Sequence, residues 1–238
     1  MIVRIAAVAQ RELKSYFVSP VAYIVIAFFL VMSGLLFAGI LATTREATLR
    51  YLLSNVSVLF LFITPLLTMR LLAEEQRTGT IELLLTNPIR DIEVVLGKYL
   101  ASLVLMLVMV GLTLYYPALL ILLGGDPDRG PIVSGYLGVL LLGAAFLAIG
   151  LFASSLTQNQ IVAAIVTFAV LLVLWLGDIV QNFSSGVIGS IFSYLSVNSH
   201  FQEFSSGIID SKDVVYFLTL AAAGVFLAYL SVQTRRWR

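Results

Sequence analysis

The chain has 238 residues, 60% of them hydrophobic and only 11% charged, with a net charge of +1 and no cysteine. A soluble domain needs roughly a quarter of its residues charged to cover a watery surface, so this composition excludes one and points to a membrane. The near-zero net charge excludes a basic nucleic-acid surface, and the missing cysteines exclude disulfides, thiolate catalysis and cysteine-held metal.

Met1–Lys14 is mixed polar, with no short apolar core followed by a small-residue cleavage site, so a cleavable signal is not expected. Ile2, Ile5, Ala6, Ala9, Leu13, Tyr16 and Phe17 share one helical face, and Arg4, Arg11 and Lys14 occupy the opposite one. That pattern predicts a helix over residues 1–18 lying in the headgroup plane.

Beyond it, the charge-free runs predict an all-α integral membrane protein. A span needs about 20 apolar residues, and six are predicted, near 20–41, 52–72, 93–123, 133–154, 160–181 and 213–233. Ser19-Pro20 supplies a cap and a first-turn proline to the first span. Asp91 and Glu93 suit the N-terminus of the third, whose first turns should project beyond the bilayer. Pro117 should kink that helix near its other end. The long uncharged run 130–177 is divided at "SSLTQNQ", residues 154–160, where polar side chains cluster. Residues 182–199 are uncharged but crowded with Ser, Gly and Asn, and no apolar core of span length can be drawn through them. They are read as a re-entrant helical hairpin buried against protein.

Six spans place both termini on one side. Ten of the fourteen Lys and Arg residues then share that side, at the two termini and in the 70–98 loop, against Arg45, Arg50, Arg129 and Lys212 on the other. Positive charge gathers on the cytoplasmic face, so both ends are expected there, in a cytoplasmic (inner) membrane.

Catalytic chemistry is sparse. A phosphate-binding loop needs Gly-x-x-x-x-Gly-Lys-Ser/Thr; Gly97-Lys98 lacks the earlier glycine and is followed by Tyr99. The chain is therefore not expected to be an enzyme or to hold a cofactor. Asp178, in the last turns of the fifth span, reads as an interfacial acid. His200, the single histidine, sits in a polar outer loop and offers one metal ligand at most. Ser184, Ser185 and Ser190 lie upstream of it, but spacing alone makes no nucleophile–base pair. Ser54, Ser57, Thr64 and Thr68 form a narrow stripe on the second span. Small hydroxyl residues there either let helices approach closely or line a polar route.

The dense polar stretch is "LLAEEQRTGTIELLLTNP", residues 71–88. Gly79 and Thr80 should break one helix and Thr80 cap the next. Ile81, Leu84 and Leu85 then share a face, with Glu74, Glu75, Arg77 and Glu82 around it and Pro88 as the stop. A short helix that is apolar on one side is suited to docking against a partner or lying on the bilayer.

"LTMRLLAEEQRTGTIELLLTNP" followed by "DIEVVLGKYL" resembles the signature of ABC-2 type permeases, the membrane halves of ATP-binding-cassette exporters. Residues 130–165 and "HFQEFSSGIIDSKDVVYF" (200–217) resemble the same family. The second of these is closest to gliding-motility-associated permeases, and nitrous-oxide-reductase maturation permeases are more distant. The resemblance implies a coupling region at 74–90 seated in a separate cytoplasmic ATPase, present in two copies and carrying ATP and Mg. It implies a second contact at Ser155–Gln160, including Gln158 and Asn159. It also implies pairing with a second permease copy or paralogue, and a central route flanked by spans two and five, which adds Thr167 to the stripe as lining. The chain lacks a sizeable outer domain, which leaves room for a companion protein with an extracytoplasmic domain. The alternative is a membrane anchor or scaffold that recruits a partner through its 70–98 loop without transport.

Overall fold

The computed structural model describes residues 1–44, 46–79, 90–179, 192 and 194–235. These residues form helices α1 (Ile2–Val18), α2 (Pro20–Thr44), α3 (Arg50–Thr68), α4 (Ala73–Thr78), α5 (Asp91–Leu112), α6 (Tyr115–Leu122), α7 (Arg129–Leu156), α8 (Gln160–Trp175), α9 (Val197–Ser205) and α10 (Ser211–Arg235), with no strand among them.

Among the described residues, five helical stretches are long and apolar enough to cross a membrane: Pro20–Thr44, Arg50–Thr78, Asp91–Leu122, Arg129–Leu156 and Ser211–Thr234. The protein is a multi-pass membrane protein. The predicted fifth span, 160–181, appears as α8, apolar but only 16 residues long. At 1.5 Å per residue such a helix covers about 24 Å, short of a hydrocarbon core of about 30 Å. Its predicted last residues, 180 and 181, lie outside the described ones.

The helix ends follow local chemistry. The Asp128 carboxylate accepts from Gly130 N–H at 3.1 Å to start α7, and the Asn159 side chain accepts from Ile161 N–H at 2.9 Å to start α8. Glu93 accepts from Arg90 N–H at 2.9 Å at the head of α5, as a third-position glutamate does in a capping box. Pro117 acts one turn earlier than its own position. It has no N–H to give the Thr113 carbonyl, so Tyr116 N–H takes that carbonyl at 3.0 Å and the helix breaks at Thr113–Leu114.

α7 is the centre of the bundle. Buried residues make up 72% of its apolar window, against 22% for α2 and 17% for α10. It packs most extensively on α10 and α3, and also touches α8, α9 and α5. Glycines permit this closeness: a Cβ at Gly150 would lie 2.2 Å from the Thr68 hydroxyl oxygen of α3.

α1 has a protein-facing stripe that the sequence reading did not include. Its bundle-facing stripe is Ile5, Val8, Glu12 and Tyr16, with Ile5 and Val8 buried, while Ile2, Val3 and Val18 stand exposed. The reason is α5. Gly97 offers no side chain, and a Cβ there would sit 2.6 Å from Val8, so α1 lies directly against α5. The helix thus packs on protein along one face and turns apolar residues outward along another.

Candidate functional site

The described residues of the polar loop sit on the end of α7. Pro65 lies inside α3, which ends at Thr68; the chain turns through Met69–Leu72 into α4. The turn is held by Ser154, whose hydroxyl oxygen accepts from Leu72 N–H and Ala73 N–H, both at 3.1 Å, and donates to the Met69 carbonyl at 3.3 Å. Gln76 then donates from Nε2 to the Ser155 carbonyl at 2.9 Å, and Ser231 of α10 donates to the same oxygen at 3.1 Å. α4 stops at Gly79, whose φ of 71° is the left-handed conformation that glycine adopts without strain.

Beneath α4 lies a buried cluster of charge. Lys98 of α5 is 2% exposed, and its Nζ reaches Glu12 Oε1 of α1 at 2.8 Å and Glu75 Oε1 of α4 at 2.9 Å. One ammonium therefore joins three elements far apart in sequence. Two carboxylates on one cation leave a local excess of negative charge. Burial pushes the Glu75 carboxyl up, with Lys98 pulling it down less strongly. Glu75 Oε2 is buried without a hydrogen-bond partner. At the head of α5, the buried Glu93 receives Arg4 at 3.8 Å and the N-terminal amine at 3.9 Å, tying the start of α1 to the same helix. Arg70 and Glu74 pair at 3.3 Å on the α3–α4 turn.

Outside this buried layer, the side chains of Arg77, Gln158 and Asn159 line one open depression with Ile161. Glu74, Glu75, Arg77, Gln158 and Asn159 are therefore all brought to one end of the bundle. Thr80, Ile81, Glu82, Leu84 and Leu85 lie outside the described residues. Lys98, Glu12 and Ser154 were not singled out by sequence reasoning. The signal available was a lone lysine at the head of a long uncharged run.

The hydroxyl stripe faces inward. Ser57, Thr64, Thr68 and Thr167 are buried, and Ser54 is half-buried. Thr68 donates to the Thr64 carbonyl at 2.9 Å, Ser57 to Ser54 at 2.6 Å and Thr167 to Ala163 at 2.7 Å. Within one chain Ser57, Thr68 and Thr167 are thus satisfied on their own helices and allow close packing, whereas Thr64 Oγ1 is buried without a hydrogen-bond partner.

At the other end of the bundle, His200 is on a helix, which corrects the expected loop. Val197, Phe201 and Phe204 of α9 are buried at helical spacing, and that stripe carries the helix on past Ser199. His200 Nδ1 lies 2.6 Å from Asp213 Oδ1 of α10, and its ring stacks on Tyr216 with centroids 3.9 Å apart. Asp178 accepts from Asn198 Nδ2 at 3.1 Å. Of the re-entrant hairpin, residues 182–191 and 193 lie outside the described ones. Glu203, Asp210 and Asp213 form an acidic cluster. Lys212 Nζ answers two of them, at 2.8 Å from Glu203 and 3.3 Å from Asp210. Hydrogen bonding from the Lys212 backbone holds the Asp210 carboxyl below its usual range.

A bundle of long apolar helices, with charged groups gathered beneath a short polar helix at one end, defines a multi-pass membrane protein built for contact with something in the water. The family is specific: residues 54–234, most of the chain, match the model of the ABC-2 family transporter proteins, and the chain belongs to that family. It is a permease component of an ABC transporter, a class that associates with an ATPase subunit and the membrane. A comparison with curated proteins found no match.

Proposed function

We propose that the chain is the membrane-spanning half of an ABC exporter, driven by ATP that a separate cytoplasmic ATPase hydrolyses with its own Mg. In this reading α8 continues into a sixth span, both termini and α4 are cytoplasmic, and α1 lies at the membrane surface. Two permease chains, identical or paralogous, pair over two ATPase copies. The 200–217 stretch supports a place among the gliding-motility-associated permeases, and a companion subunit would supply the missing outer domain.

The observation that carries the reading is the meeting of α4 with the 157–159 loop. Two segments far apart in sequence share one exposed depression through Arg77, Gln158 and Asn159. Ser154 and Ser155 fasten α4 to the rigid end of α7 beneath it. Force applied at α4 therefore enters the bundle through buried hydrogen bonds and ion pairs.

The test is co-purification with the cognate ABC ATPase subunit. Leu84→Asp should insert normally yet release the ATPase, because it places an unpaired charge on the docking face. ATP turnover should follow the ATPase subunit and be absent from the permease alone. In cells, cysteines at Thr80 and Gln233 should react only with permeant reagents, and those at Ala47 and Asp128 with impermeant ones. An ATPase that stays bound and fully stimulated beside Leu84→Asp would leave the loop a passive surface, and the scaffold alternative would then be preferred if transport also failed.

A further inference from the structure

A cleft unused by the α4 contacts lies under the elbow between α1 and α2, with a cavity of about 80 Å³. Its polar lining includes Ser15, Ser19, Arg70 and Glu74, where the helices leave the apolar layer. Its apolar lining includes Val21, Ala22, Val25 and Leu66, up to one or two turns deeper along α2 and α3. A cleft graded from polar to apolar along the membrane normal matches a lipid standing in its own leaflet.

The charges at the mouth select among lipids. Arg70 is 39% and Glu74 44% exposed, so both are reachable, and their ion pair spans 3.3 Å. Arg70 Nε, the atom of that ion pair, is buried and makes no hydrogen bond, so a headgroup meets the accessible remainder of the side chain. Glu12 adds a second carboxylate to the lining, already shared with Lys98. A purely anionic headgroup would satisfy the guanidinium but face two carboxylates. A zwitterionic one satisfies both signs.

We propose that this cleft binds one amine-bearing phospholipid of the leaflet on the α4 side, with its phosphate on Arg70 and its ammonium on Glu74. One acyl chain enters between α2 and α3, and the remainder lies along the exposed Val18 and Leu66. The bound lipid ties the α1–α2 elbow to the α3–α4 turn. This inference rests only on the chain being embedded in a membrane, so it stands or falls apart from ATPase coupling.

The full chain is placed in nanodiscs of equal phosphatidylethanolamine and phosphatidylglycerol with matched acyl chains, released, and weighed by native mass spectrometry. One phosphatidylethanolamine per chain should be retained, preferred about tenfold, the worth of one charge-assisted hydrogen bond. Glu74→Gln should reduce that preference to roughly twofold or less by removing the charged acceptor of the ammonium, whereas Arg70→Gln should weaken retention of both lipids by removing the charged donor to the phosphate they share. Leu66→Trp, at a partly exposed position on the cleft, should abolish retention. Equal retention of the two lipids, retention of none, or retention unchanged by Leu66→Trp would overturn the proposal. The headgroup comparison on the unmodified chain needs no variant to fold.

Discussion

Replacing Lys98 by methionine, which keeps the length of the stem and removes the ammonium, tests the buried cluster most directly. In the native chain Nζ lies between two carboxylates, 2.8 Å from Glu12 and 2.9 Å from Glu75. Without it, two partly buried carboxylates face each other across no more than those two lengths end to end. At an effective dielectric near 20 their repulsion is about 3 kcal/mol, within the roughly 3–5 kcal/mol typical of breaking a buried ion pair. For a chain of this size each kcal/mol moves the melting point by roughly 2–4 °C, so Lys98→Met should melt roughly 6–12 °C lower. Tryptophan fluorescence of the purified protein in detergent reads this without labels. Glu75→Gln leaves one carboxylate on one ammonium and should shift the midpoint by no more than about 1 kcal/mol, since it also removes buried excess charge. Adding Glu12→Gln and Glu75→Gln to Lys98→Met should recover most of the loss. A Lys98→Met protein that melts within about 2 °C of the native chain, less than a single kcal/mol is expected to move it, would refute this account. So would a triple variant no better than the single one.

Three further outcomes follow from the same end of the molecule. Ser154→Ala leaves the Leu72 and Ala73 N–H groups buried without an acceptor, at about 1–3 kcal/mol each, and should speed hydrogen exchange across residues 69–79 while sparing α2. Gly97→Leu forces α1 off α5, because even a Cβ would meet Val8 at 2.6 Å; protease cleavage between α1 and α2 should rise, and Gly97→Ala should show the same effect more weakly. Glu75 should make stability rise as pH falls through its folded pKa toward 4.5: burial raises that folded pKa above 4.5, so in that window the folded state holds the extra proton and gains from it. Glu75→Gln should flatten that slope in pH-dependent melting.

The helices were legible because each rests on local signals. Proline at 20 and the polar break at 154–160 place boundaries where α2 begins and where α7 gives way to α8. The third predicted span is interrupted at Thr113–Leu114, since a proline disturbs the carbonyl four residues before it. Pairings across the fold were not legible. Lys98 and Glu12 are 86 positions apart, and nothing in either neighbourhood names the other. The covered stripe of α1 was not legible for a related reason: periodicity shows which residues align, but Gly97 on another helix decides which of them are covered. The hydroxyl stripe on α3 teaches the same lesson. Its spacing is readable, whereas the burial of Thr68 under α7 depends on the glycine at position 150.

The central helix also sets a length scale for motion. α7 runs 28 residues, about 42 Å at 1.5 Å per residue. At one end Ser154 grips the turn into α4; at the other Ser134 donates to the Phe204 carbonyl of α9 at 2.7 Å. An unbroken helix hydrogen-bonded at both tips behaves as a lever. Pivoted at the tip beside α4, a tilt of only about 5° would carry the opposite tip sideways by roughly 4 Å on that length. Such a sweep is enough to separate neighbouring helices that touch, with no refolding anywhere along the shaft.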